Sequence, residues 1–233
     1  MMHLKKIILR PDSYPSEEYY PFNLGIFRST LEVSFDEPVT FFAGENGSGK
    51  STLLKAIARK CGIHIWSEEG RRRYRYNEYE DELYRFIDLE WNASRVPGSF
   101  FASEIFRHFA EALDEWAAAS PGFLEYYGGK SLVTQSHGQC HMSYFRNRFG
   151  IKGLYLLDEP ENALSPGKQI ELAGFLKAQG EGGEAQFIIA SHSPILLSMP
   201  DAAVYSFDCP SVTRVRYCDT EHFKTYRDFF MKP

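Results

Sequence analysis

The order of apolar and polar positions along the chain predicts strands alternating with helices. Residues 4–10 and 31–35 read as short strands, separated by the proline-containing loop PDSYPSEEYYPF. Residues 39–43 form a short apolar run of the kind a buried strand shows. GENGSGKST interrupts that run, and residues 52–60 then read as a helix. Residues 103–116 predict an amphipathic helix, with Ser103 as N-cap and Ile105, Phe109, Ala112, Leu113 and Trp116 on one face. Residues 136–149 predict another, capped by Ser136, with Met142, Phe145 and Phe149 turned inward. GLYLLD reads as a buried strand. Ser165-Pro166 opens a further helix, because proline at the first helical position gives up no hydrogen bond. AQFIIASH and residues 203–207 read as strands, residues 212–217 as a hairpin partner and residues 221–230 as a short helix. The alternation predicts one α/β domain with a largely parallel sheet. The charged stretch SEEGRRRYRYNEYEDELYRF has no clear period and reads as a surface excursion.

Composition supports a sizeable core: 43% of the 233 residues are hydrophobic and 15% aromatic. A net charge of −5 argues against binding polyanions by overall charge, so nucleic acid would need a local basic patch. The four cysteines form no C-x-x-C pair and read as idle thiols in a reducing compartment, ahead of zinc or disulfides. MMHLKKIILRPD has too short an apolar run for a signal peptide, and no stretch approaches the roughly 20 apolar residues of a membrane span. These features predict a soluble, cytoplasmic protein.

Three segments carry candidate chemistry. Gly44-Glu45-Asn46-Gly47-Ser48-Gly49-Lys50-Ser51, followed by Thr52, fits the phosphate-loop pattern G-x-x-x-x-G-K-[ST] between a predicted strand and helix. Glycines let successive backbone N–H groups converge on phosphate oxygens, and the helix N-terminus adds positive potential there. Lys50 would reach the β- and γ-phosphates, and the Ser51 hydroxyl would ligate Mg2+. The strand LYLLDE ends in two acids, at the sheet edge where a parallel sheet binds ligands. Asp158 is the candidate metal ligand and Glu159 the candidate base for water. The strand before Ser191-His192-Ser193-Pro194 brings His192 to the same edge, as a candidate contact to the γ-phosphate.

With GENGSGKS, SHGQ, LYLLDEPENALSP and IIASH in this order, the chain resembles the ABC-type ATPases. The resemblance implies a P-loop NTPase fold in a single domain, 1–233. It would be a three-layer sandwich around a mostly parallel sheet, with an N-terminal antiparallel β portion and a helical subregion over about 62–150. It also implies ATP and Mg2+ as ligands, ATP hydrolysis, and a head-to-tail homodimer acting on a protein partner that the sequence does not identify. In that family a motif usually written S-G-G-Q binds the γ-phosphate of the nucleotide held by the other subunit. Ser136, Gly138 and Gln139 would do so here.

His137 stands where that motif has a glycine, and ENALSP lacks the aspartate of the family's S-A-L-D pattern. There is no glutamine between Lys50 and Gln135, where transporter ATPases carry one; Glu104 is the candidate substitute. The wording is most similar to small standalone ATPases related to the recombination and overcoming-lysogenization types. The heptads of a coiled coil are missing, and the stretch after His192 is too short for a nuclease domain. Tyr14, Tyr19, Tyr20, Phe22 and Arg28 are candidates for stacking adenine. Residues 71–76, RRRYRY, are a candidate nucleic-acid grip, although flanking acids favour a solvated or partner-docking face. Two other readings are the ATPase subunit of a transporter and a non-catalytic, ATP-dependent interaction module.

Overall fold

The computed structural model describes residues 2–66, 77–120, 122, 124–125 and 129–232. In chain order the strands are β1 (Leu4–Leu9), β2 (Glu32–Ser34), β3 (Val39–Ala43), β4 (Ile87–Trp91), β5 (Gly98–Ala102), β6 (Gly153–Asp158), β7 (Ala185–Ala190), β8 (Ala203–Ser206) and β9 (Thr213–Val215). The helices are α1 (Gly25–Ser29), α2 (Lys50–Lys60), α3 (Phe106–Ala119), α4 (His137–Arg148), α5 (Pro166–Glu181), α6 (Pro194–Leu197) and α7 (Glu221–Phe230). Two sheets form. One is antiparallel, in the order β2-β1-β4. The other runs β5-β6-β7-β3-β8-β9, with β5 to β8 parallel and β9 antiparallel at the end.

The larger sheet is covered on both faces, which is why β3, β6, β7 and β8 read as continuous apolar runs. Alternate residues feed two separate cores. Phe42, Leu154, Leu156 and Ile188 pack with α2 and the antiparallel sheet. Phe41, Tyr155, Leu157, Phe187 and Ile189 pack with α3, α4 and α5. This period of two is the pleat itself.

The buried Gln186 joins the two sheets. Its Oε1 accepts hydrogen bonds from the backbone N–H groups of His3 and Leu4, at 2.9 and 2.8 Å, and its Nε2 donates to Leu4 O at 2.9 Å. Of the four free cysteines, Cys61 and Cys140 are buried, and burial pushes their thiols up to about 12 and about 11.

Several sequence expectations shift. The first strand ends at Leu9, and α2 starts two residues early, at Lys50. α1, β4 and β5 were not expected at all. α3 starts at Phe106, because Ser103 does not cap a helix but turns its hydroxyl elsewhere. Trp116 is 44% exposed and Ala117 takes the inward position; Trp116 lies edge-on to Trp66 instead. The RRRYRY run, residues 71–76, lies outside the described residues.

Gln186→Ala would leave two buried N–H donors and one carbonyl without partners. It should cost about 2–4 kcal/mol of stability; urea unfolding followed by circular dichroism checks this.

Candidate functional site

Three parallel strands end side by side, and each end delivers one part of the site. β3 leads into the phosphate loop and α2. Gly49 has φ of +103°, and a Cβ there would lie 2.8 Å from Phe27 Cζ, so only glycine fits. A Cβ on Gly44 would lie 2.9 Å from Phe207 Cβ, because β8 closes over the start of the loop. Asp208 accepts from the Glu45 N–H at 2.8 Å and holds the loop from that side. Sequence reasoning missed Asp208, which lies far along the chain in an unremarkable polar turn.

Lys50 is 4% exposed and folds back over its own loop, donating to Gly44 O at 2.7 Å and Glu45 O at 2.8 Å. Burial pulls its pKa down, while Glu159, Asp208, Asp158 and Glu45 push it up. Those two carbonyls hold the ammonium where a phosphate oxygen would compete for it. The Ser48 hydroxyl is buried in the same loop without a hydrogen-bond partner.

β6 delivers Asp158 and Glu159. Ser51 Oγ donates to Asp158 Oδ1 at 2.7 Å, joining the phosphate loop to the acidic pair. Asp158 is 8% exposed, and burial raises its pKa against the opposing effects of Ser51, Lys55 and Lys50. Glu159 has φ of +48°, a left-handed conformation that costs a non-glycine residue of order 1 kcal/mol or more. Its neighbours enforce it: Glu159 N donates to Ala190 O at 2.9 Å, and Ser103 Oγ donates to Glu159 O at 2.5 Å. Asn162 Nδ2 donates to Glu159 Oε2 at 2.6 Å.

β7 delivers His192. Its Nε2 lies 3.7 Å from Glu159 Oε1, beyond hydrogen-bond range, and is buried without a hydrogen-bond partner. Burial and then Lys50 lower the His192 pKa, with Glu159 opposing. The fit for a nucleotide triphosphate and Mg2+ is good on this geometry. The loop is glycine-shaped, a hydroxyl and a carboxylate meet at its end, and Ser48 Oγ and His192 Nε2 are orphaned beside it.

A family model described as "AAA domain, putative AbiEii toxin, Type IV TA system" matches residues 142–198, and one described as "AAA domain" matches residues 22–73. The molybdenum import ATP-binding protein ModC of Rhizobium etli is 27% identical over 194 residues, which is 73% of this chain and 51% of that protein. The chain thus spans about half the length of that curated relative. Among solved structures, an ATP-binding cassette of an ABC transporter in its ADP conformation is similar with a TM-score of 0.54 at 16% identity, over 97% of this chain and 99% of that one. The ATP binding subunit of an ABC transporter gives 0.51 at 17%, over 98% and 94%. An SmcHead bound to the C-winged helix domain of ScpA gives 0.52 at 14%, over 91% and 97%. At these identities the structures show the fold; the family models and the relative support an ABC-type ATPase superfamily assignment.

In that frame the SHGQ segment starts α4. Ser136 N donates to Gln139 Oε1 at 3.3 Å, and Ser136 Oγ donates to the same oxygen at 2.9 Å, which orders the exposed helix start. His137 is the first helical residue. A Cβ on Gly138 would lie 3.1 Å from Ala163 O, so the ENALSP loop packs closely against this turn. Among the described residues, no hydrogen bond or ion pair links Ser136, Gly138 or Gln139 to the phosphate loop of the same chain.

β5 ends at Ala102, and the next residue, Ser103, bonds the Glu159 carbonyl. Glu104 is exposed and lines a cleft of about 500 Å³ together with Ser103, Arg107, Gln135, His141 and Glu159. Of the adenine candidates, Phe22 is in the core, and Tyr14 packs on it and donates to Phe27 O. Arg28 pairs with Glu17, and Tyr19 leans on Tyr79. Tyr20 alone of these reaches the loop's helix, through a hydroxyl contact with Thr52. Among the described residues no helix is long and apolar enough to cross a membrane.

Gly49→Ala forces a left-handed backbone and a contact with Phe27. It should lower stability by about 1–3 kcal/mol and weaken ATP binding at least tenfold; thermal melts and titration with a fluorescent ATP analogue check the two effects.

Proposed function

We propose that this chain binds ATP with Mg2+ and hydrolyses it, and that ATP closes a head-to-tail homodimer which hydrolysis releases. The observation that carries this is the Ser51–Asp158 hydrogen bond, with Glu159 and His192 beside it at the same sheet edge. Lys50 would leave its two loop carbonyls for the β- and γ-phosphates, and the N–H groups from Gly44 to Thr52 would cradle them. Ser51 and Asp158 would hold Mg2+. When bound, Mg2+ supplies Lewis-acid stabilisation of charge on the phosphate oxygens. Glu159, oriented by Asn162, accepts a proton from the attacking water as its oxygen bonds to the γ-phosphorus and the bond to the bridging oxygen breaks. His192 donates from Nε2 to the γ-phosphate. Ser136, Gly138 and Gln139 of a second copy complete the site from the other side, which fits the lack, among the described residues, of any hydrogen bond or ion pair between them and the phosphate loop of their own chain.

On this reading residues 1–233 act as one ATPase domain in the cytoplasm. Its motion serves an unidentified protein partner, and nothing described favours nucleic acid. A second reading is a transporter's ATP-binding subunit, favoured by the similarity to the molybdenum importer's ATP-binding protein. The absence of a glutamine between Lys50 and Gln135, with Glu104 as the candidate substitute, favours the first.

Steady-state phosphate release should exceed that of Lys50→Ala, and Glu159→Gln should lower it by about 10²–10⁴-fold. Because Glu159 acts on water and not on binding, Glu159→Gln should also accumulate a dimer with ATP–Mg2+ in sedimentation velocity. A variant that stays monomeric at saturating nucleotide contradicts the sandwich.

A further inference from the structure

Glu161 is two residues past the proposed base and has no role in the chemistry described above. It is 8% exposed, yet its Oε1 accepts three hydrogen bonds from the segment after β7: Ser191 Oγ at 2.8 Å, His192 N at 2.6 Å and Ser193 N at 3.1 Å. Burying a carboxylate is costly unless hydrogen bonds compensate, and three donors on one oxygen do so. The other oxygen, Oε2, is buried without a partner. The far side of the same peptide is also held. His222, in α7, lies with Nε2 at 2.7 Å from His192 O. A carbonyl only accepts, so His222 Nε2 carries the proton and the tautomer is fixed. Its Nδ1 faces the Tyr217 hydroxyl at 3.5 Å.

The backbone of His192 is therefore gripped at both its N–H and its C=O, while its ring Nε2 has no hydrogen bond. Side-chain direction follows from backbone placement when the backbone is fixed at both ends. We infer that Glu161 and His222 are positioning residues that aim the His192 ring at the nucleotide, so that α7 is mechanically tied to the γ-phosphate contact. This rests on the reading of His192 given under the proposed function.

The geometry distinguishes the substitutions. Glu161→Gln keeps the acceptor Oε1 and puts its amide nitrogen where Oε2 has no partner. Glu161→Ala removes all three bonds. His222→Ala removes the carbonyl contact from a partly exposed helix, so it keeps the test open if Glu161→Ala does not fold.

The test uses the full chain labelled with 13C at histidine, with and without ATP–Mg2+. The His192 Cε1–H peak is assigned by its loss in His192→Ala. Glu161→Ala and His222→Ala should shift or broaden this peak, and Glu161→Gln should return it to the wild-type position. Phosphate release should fall about 10- to 100-fold in Glu161→Ala with KM changed by less than about twofold, as misplacing a catalytic group does. Glu161→Gln should restore most of that rate. The Glu161→Ala/His192→Ala double variant should be no slower than His192→Ala alone. An unchanged His192 peak in both alanine variants, or fully additive rate losses, overturns the inference. Wild-type turnover no higher than that of Lys50→Ala would instead sink the hydrolysis reading, and the ring peak would still decide the clamp.

Discussion

The hydrogen bond from Ser51 to Asp158 is the point at which the architecture becomes a site. It closes a gap of more than a hundred residues of sequence between the start of α2 and the end of β6. It forms only because β3, β7 and β6 are parallel, in register and buried on both faces. A one-residue slip of β6 would turn Asp158 to the opposite face of the sheet. The two hydrophobic cores that sandwich the sheet thus hold Ser51 and Asp158 together, and Gln186 ties the antiparallel sheet to the same frame.

The electrostatics are built around burial. Lys50, Asp158, Glu161 and His192 are all shifted by desolvation first, each toward its neutral form. Mutual attraction offsets part of this: the acids pull the lysine back up, and the lysines pull Asp158 back down. A site of this kind is balanced for a ligand that brings its own charges. Triphosphate and Mg2+ would replace the loop carbonyls now holding Lys50 and the hydroxyl now on Asp158. The strained Glu159 backbone, bracketed by Ala190 and Ser103, is a local cost that the surrounding structure enforces.

Much of this was legible in the sequence, for a physical reason. The phosphate loop, LYLLDE and IIASH are contiguous, and each carries its residues on consecutive positions of one strand end, so spacing alone defines them. The parallel sheet and the cap at Ser136 were legible on the same grounds. Contacts made across the fold were not. Asp208, Ser103, Glu161 and Gln186 act through single side chains brought in from other elements, and nothing adjacent to them in sequence marks that role. Ser103 looked like a helix cap because serine before an apolar run usually is one; packing at the end of β5 gave its hydroxyl a better acceptor. β5, with GSFFA, was hidden because a short edge strand with a glycine has a weak pattern. β4 escaped because IDLEW follows directly on a charged stretch.

The central claim is that Ser51 and Asp158 together form the Mg2+ position of an ATP site. Calorimetric titration of ATP, with and without Mg2+, on the wild type and on Asp158→Asn tests it most directly. The account predicts that Mg2+ tightens ATP binding to the wild type and that this gain disappears in Asp158→Asn, while metal-free ATP affinity changes little. An equal gain from Mg2+ in both proteins would contradict it.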